Sequence, residues 1–118
     1  MTGIAGEDAT VYLRTSVENR VAEVLLDHPP VNAFDSAGWR HLAGTITALG
    51  ADEAVSVIVI GALGRGFCAG VDIKELARDA SLITKVNKGC YDAFAAIHDC
   101  PVPVIAAAHG FVLGGGIG

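Results

Sequence analysis

Two glycine-rich segments hold the residues best suited to chemistry: Gly64-Arg65-Gly66-Phe67-Cys68-Ala69-Gly70-Val71-Asp72-Ile73 and His109-Gly110-Phe111-Val112-Leu113-Gly114-Gly115-Gly116-Ile117-Gly118. Each follows an apolar, strand-like run, and the first leads into a helix-like pattern. Glycines let backbone atoms approach closely, and two N–H groups aimed at one oxygen stabilise an enolate or oxyanion. The pair reads as two halves of a backbone anion hole, with a helix expected to begin near Gly118.

Competing chemistries fit less well. Gly64-Arg65-Gly66-Phe67-Cys68-Ala69 satisfies G-x-G-x-x-A after a strand, the dinucleotide-binding pattern. Against it, Gly61-Ala62-Leu63 intervenes, the helical region beyond is too long, and the next strand ends at His109 instead of an acidic ribose ligand. No GK[ST], G-x-S-x-G or HExxH motif is present. Cys68 reads as a small side chain filling space behind the loop, because no base is assigned near it in sequence. His28, His41, His98 and His109 share no metal-ligand spacing, and no metal site is expected. His109, at a strand end before Gly110, is placed to bond the adjoining loop. Asp72 reads as a helix N-cap that holds the loop rigid. Arg65 and Lys74 read either as solvated surface charges or as groups near enough in sequence to the loop to meet the phosphates of a large anionic substrate.

Strands and helices must bring these loops together. Val11 to Thr15 and Val21 to Leu26 are β-rich runs, with a hairpin signal at Val17-Glu18-Asn19-Arg20. Asp27-His28-Pro29-Pro30 stops strand pairing, because neither proline has an N–H to donate. Asp35 caps a predicted helix with apolar Trp39, Leu42, Ala43, Ile46 and Leu49 at helical spacing, and Gly50 suits its end. Val55 to Ile60 is nearly continuous in apolar residues, the pattern of a strand covered on both faces. Strand, helix and strand predict a right-handed crossover. Asp72 starts a short helix, and Ile83, Val86, Cys90, Phe94 and Ile97 mark a longer one that Cys100-Pro101-Val102-Pro103 ends. Val104 to Ala108 reads as another buried strand. The fold class is α/β.

Composition narrows the function classes. A net charge of −5 with eight scattered Lys and Arg residues argues against nucleic-acid binding. No signal-peptide pattern or membrane-length apolar run occurs, so a cytoplasmic protein is expected. Cys68, Cys90 and Cys100 lack CxxC spacing and read as reduced thiols. A hydrophobic fraction of 52% and a mean hydropathy of +0.49 are high for a complete soluble domain of 118 residues. With the apolar ending, they predict a piece of a larger core.

Three motifs in order resemble the crotonase superfamily, the enoyl-CoA hydratase and isomerase family. Pro30-Val31-Asn32-Ala33-Phe34 is similar to its P-x-N-A-L segment, Phe67 to Ile73 to F-[SC]-A-G-x-D-[IL], and Pro103 to Gly116 to P-V-I-A-A-x-x-G-x-x-x-G-G-G. The resemblance implies a spiral of ββα units, of which residues 10–118 would be the N-terminal part, with residues 1–9 a flexible tail. It implies an acyl-CoA thioester substrate, no separate cofactor, and a homotrimer or hexamer. The oxyanion hole would be the backbone N–H groups of Ala69 and Gly115. Val31, Phe67, Cys68, Gly70, Val71, Asp72, Ile73 and Gly114 would line the substrate path. Family hydratases carry a glutamate two residues after the glycine triplet, where this chain has Gly118. Hydration or isomerisation through a thioester enolate is the expected activity. The chain looks most like actinobacterial members named enoyl-CoA hydratases, some of which resemble ring-opening hydrolases, so the alternatives are hydrolytic ring opening of a cyclic keto acyl-CoA and an inactive CoA-binding fragment.

Overall fold

The computed structural model describes residues 11–118, so the expected tail at residues 1–9 lies outside the described residues. Strand β1 (Leu13–Glu18) turns into β2 (Val21–Leu26) through Asn19 and Arg20, whose φ values of 53° and 68° make the two-residue turn that matches strand twist. The first strand therefore starts two residues later than its composition suggested and runs through Val17 and Glu18. Backbone pairing to β2, from Leu13–Leu26 to Glu18–Val21, outweighs the polar side chains there, which face solvent.

A two-residue strand β3 (Ala33–Phe34) precedes helix α1 (Ser36–Gly50), and the Asp35 side chain accepts from the Gly38 N–H at 2.9 Å as its N-cap. Trp39, Leu42 and Ile46 form the buried stripe. Strand β4 (Val57–Ala62) then pairs parallel with β2, as expected for a strand–helix–strand unit. After the first glycine loop come β5 (Gly70–Val71), α2 (Ile73–Arg78), a 3-10 turn (Ala80–Leu82), α3 (Ile83–His98) and β6 (Val104–Ala106). The main sheet has the order β1-β2-β4-β6, while β3 and β5 form a small parallel pair.

The core lies between one face of the main sheet and the packed pair α1 and α3. Ala22, Val24, Leu26, Ile58 and Ile60 point into it and meet Phe34, Trp39, Leu42, Ile46 and Ala93. Two expectations of doubly covered strands are corrected. In β4, Ile58 and Ile60 are buried whereas Val57 and Val59 on the other face are half-buried. In β6, Val104 is half-buried and Ile105 and Ala106 are exposed, because β6 is an edge strand of this sheet. Helix α3 also buries Val86, Gly89 and Ala93 more completely than the predicted Cys90, Phe94 and Ile97, while Ile83 is exposed.

Candidate active site

The two glycine segments lie side by side. Phe67 donates its N–H to the Phe111 carbonyl at 2.9 Å, and Leu113 donates to the Cys68 carbonyl at 3.0 Å, with a parallel bridge between Cys68 and Val112. The His109 Nε2 meets the Gly64 carbonyl at 2.8 Å, the bond expected of it; since that oxygen only accepts, Nε2 carries the proton. Such close pairing excludes side chains: a Cβ on Gly110 would stand 2.1 Å from the Arg65 carbonyl oxygen.

Two buried polar residues fix the first loop, and neither stood out by itself in the sequence. Asn32, at φ 55°, accepts from the His28 N–H at 2.7 Å, and its Nδ2 donates to the Leu63 and Phe67 carbonyls at 3.1 and 3.0 Å. One side chain thus clamps the proline turn to the loop. Glu75 accepts from the Ser36 N–H and the Ser36 hydroxyl, each at 2.9 Å, tying α2 to the first turn of α1. A carboxylate is favoured at that positive helix end. The partners are separated by 39 positions, so sequence spacing gave no sign of the contact. Asp72 caps α2 as predicted, accepting from the Lys74 N–H at 3.0 Å.

The N–H groups that the fold leaves free differ in part from those expected. Ala69 gives its N–H to the Val31 carbonyl at 3.1 Å, so it is not available to a ligand, and the assignment of Ala69 as an oxyanion donor is corrected. Strand pairing shows which neighbour is free. Phe34 is the partner of Val71, and the Phe34 carbonyl accepts from the Asp72 N–H at 2.8 Å. Bonds in a parallel ladder alternate along each strand, so the Val71 N–H is directed away from β3. Gly114–Gly116 forms a 3-10 turn whose first bond runs from the Gly116 N–H to the Leu113 carbonyl at 2.8 Å. Gly114 and Gly115 precede that bond, and their N–H groups have no partner within the turn. A Cβ on Gly70 would lie 2.9 Å from the Gly115 nitrogen, so Gly115 sits directly against the residue preceding Val71.

This junction separates two hollows. An apolar cavity of about 150 Å³ is lined by Phe34, Trp39, Phe67, Cys68, Phe94 and Gly115 among others. A second cleft of about 390 Å³ is lined by Val31, Ala69, Val71, Asp72, Ile73 and Lys74, with His28 and the two prolines. The expected substrate-path residues are thus divided: Val31, Val71, Asp72 and Ile73 line the cleft, Phe67 and Cys68 the cavity, and Gly70 and Gly114 line neither. Lys74 reaches the cleft, whereas Arg65 lines neither hollow. Cys68 is buried, its thiol donates to the Asn32 carbonyl at 3.2 Å, and burial pushes its pKa up, partly offset by the Gly70 N–H. A thiol kept neutral in this way is a packing group and a poor nucleophile.

The enoyl-CoA hydratase/isomerase family model matches residues 16–118. The chain belongs to that family. It is 47% identical, over 88% of its length, to the (7aS)-7a-methyl-1,5-dioxo-2,3,5,6,7,7a-hexahydro-1H-indene-carboxyl-CoA hydrolase of Mycobacterium tuberculosis, covering 43% of that protein. It is 31% identical over 87% of its length to the rat mitochondrial Delta(3,5)-Delta(2,4)-dienoyl-CoA isomerase, covering 36% of it. Among solved structures, Pseudomonas aeruginosa DspI superposes with a TM-score of 0.85 at 27% identity, covering 98% of this chain and 45% of that one. The enoyl-CoA hydratase of Mycobacterium smegmatis gives 0.80 at 33% identity, covering 86% and 41%. This family member therefore spans about two-fifths of the length of these relatives. No helix among the described residues is long and apolar enough to cross a membrane.

Proposed function

We propose that this chain supplies the oxyanion-binding part of an acyl-CoA enzyme, with the Val71 and Gly115 N–H groups holding the thioester oxygen. What supports the reading is the close approach of the Gly115 nitrogen to Gly70, with Gly115 lining the apolar cavity and Val71, the next residue, lining the cleft. The coenzyme A arm would leave along the cleft past Val31 and Lys74, and the acyl group would enter the cavity. A thioester oxygen carries little charge before reaction and much more as an enolate, so donors placed for the latter lower the barrier selectively.

Ring-opening hydrolysis of a cyclic keto acyl-CoA is favoured over hydration. The 47% identity to a hydrolase of a dioxo bicyclic acyl-CoA supports it, as does Gly118, a residue that transfers no proton. Water would add to the ring ketone carbon. The bond from that carbon to the α-carbon would then break, leaving its electron pair on the thioester enolate. Protonation of the α-carbon would release a carboxylic acid, with no metal or redox cofactor required. In keeping with the family resemblance, we place residues 10–118 in the N-terminal part of the domain and the protein in the cytoplasm as a homotrimer or hexamer.

The complete gene product should be assayed on crotonyl-CoA and on a cyclic β-keto acyl-CoA. Turnover of the keto substrate, lost in Gly115→Pro with fold retained, is the expected result. Efficient hydration of crotonyl-CoA with no ring opening would overturn the hydrolase assignment. No binding of either thioester by calorimetry would overturn the acyl-CoA reading itself.

A further inference from the structure

Phe94 and Gly118 compete for one space. A Cβ on Gly118 would stand 2.6 Å from Cζ of Phe94, with Cε2 and Cε1 at 2.9 and 3.0 Å, so the tip of the phenyl ring is aimed at the glycine. Any side chain at residue 118 would have to move that ring. The ring meets Trp39 edge-on at a centroid distance of 5.8 Å and lines the apolar cavity with Phe67, Ile97 and Gly115. Phe34, at the same cavity, is fully buried, whereas Phe94 is half-buried and keeps surface that an occupant can touch.

The chain itself sets the ring's distance from the proposed hole. Gly118 donates its N–H to the Gly115 carbonyl at 3.1 Å, which puts it one turn from the Gly115 N–H. Such a turn advances about 5–6 Å. The ring therefore stands near the carbons next to a thioester whose oxygen the Gly115 N–H holds, and it fills with hydrocarbon the room that a side chain at 118 would need. Phe94 lines the cavity and not the cleft, so its contact is with the acyl group and not with the CoA arm. The cavity measures about 150 Å³, and a dry apolar cavity of about that size takes up a ring as large as benzene.

We propose that Phe94, seated over Gly118, is the specificity-determining wall of the acyl cavity and selects compact alicyclic acyl groups over extended chains. This rests on the acyl-CoA reading above and adds to it the shape of acyl group that the site takes. The glycine is part of the device, because only an absent side chain leaves the ring where it is. Apolar walls discriminate modestly, by about one to two powers of ten.

The test uses the complete gene product and CoA thioethers in which a methylene between sulfur and carbonyl prevents hydrolysis. One carries a cyclohexyl group and one a decyl group, and free CoA is the control. By calorimetry, Phe94→Ala should weaken the cyclohexyl compound about tenfold, bind the decyl compound at least as tightly as wild type does, and leave free CoA unchanged. Phe94→Leu, which keeps an apolar group in place, should fall between and serves if the alanine variant does not fold. Gly118→Ala should weaken the cyclohexyl compound about three- to tenfold in wild type but not in Phe94→Ala, where no ring is displaced. Equal losses for both acyl groups, a loss that extends to free CoA, or a Gly118→Ala effect indifferent to residue 94 would overturn the proposal. If wild type binds neither the thioethers nor CoA, the acyl-CoA reading falls by itself, and saturation-transfer NMR with cyclohexanone decides on Phe94. Transfer that is lost in Phe94→Ala supports the wall; no transfer from wild type overturns it.

Discussion

Adding one methyl group at Gly70 changes two things the site depends on. Its backbone sits at φ 99°, where a side chain is strained, and the new Cβ would press on the Gly115 nitrogen at 2.9 Å and the Leu113 oxygen at 3.0 Å. In Gly70→Ala the second donor must shift, so kcat on the best acyl-CoA substrate should fall by about two to three powers of ten. Circular dichroism should show the fold retained; unchanged kcat would detach this contact from catalysis. Which N–H groups the fold leaves free for the proposed hole was only half legible in the sequence. The glycine triplet marked Gly115, but Ala69 and Val71 differ only in the phase of a ladder with residues some 37 positions earlier, which no local pattern encodes. Cys68 yields a pH prediction. Below the ordinary thiol value of 9.0, the folded and unfolded chains both keep its proton. Above it, the unfolded thiol ionises first while burial holds the folded one neutral, so stability falls as pH rises towards the folded value. Urea unfolding between about pH 8 and pH 10 should show this decline, and Cys68→Ala should flatten it. Cys90, whose pKa is raised chiefly by burial and further by Cys68, should add to the decline in the same direction.

Elements were readable where capping and periodicity are local. The Asp35 cap, the Trp39, Leu42 and Ile46 stripe and the Asp72 cap all rest on spacing of a few residues. The tertiary clamps were not, because Asn32 and Glu75 act on segments more than thirty residues away. Asn32 combines a left-handed backbone with a donor facing three carbonyls, those of Leu63, Gly66 and Phe67. Asn32→Asp keeps the size but turns a carboxylate towards those oxygens, and should cost about 2–4 kcal/mol. Asn32→Gly relaxes the backbone while losing the clamp, and should cost less. Thermal unfolding of the two variants separates the contributions; if glycine proved as harmful as aspartate, repulsion at the loop would not be the cause.

The high hydrophobic fraction acquires a physical meaning at the scale of the molecule. The sheet buries one face against α1 and α3, while Val57, Val59 and Ile105 on the opposite face are only partly covered, with Ile105 51% exposed on the edge strand. An edge strand offers unpaired N–H and C=O groups, and an apolar edge recruits further strands. The 118-residue chain in isolation should therefore bind a hydrophobic dye and self-associate with rising concentration. Ile105→Lys places a charge on that exposed edge, away from the core and from both hollows. It should reduce association in sedimentation velocity while leaving the circular dichroism spectrum unchanged. Association that persists undiminished in Ile105→Lys would move the sticky surface elsewhere. The apolar cavity beside Gly115 and Gly116 would then be the first place to look, because Ile117, 73% exposed, lies at its mouth.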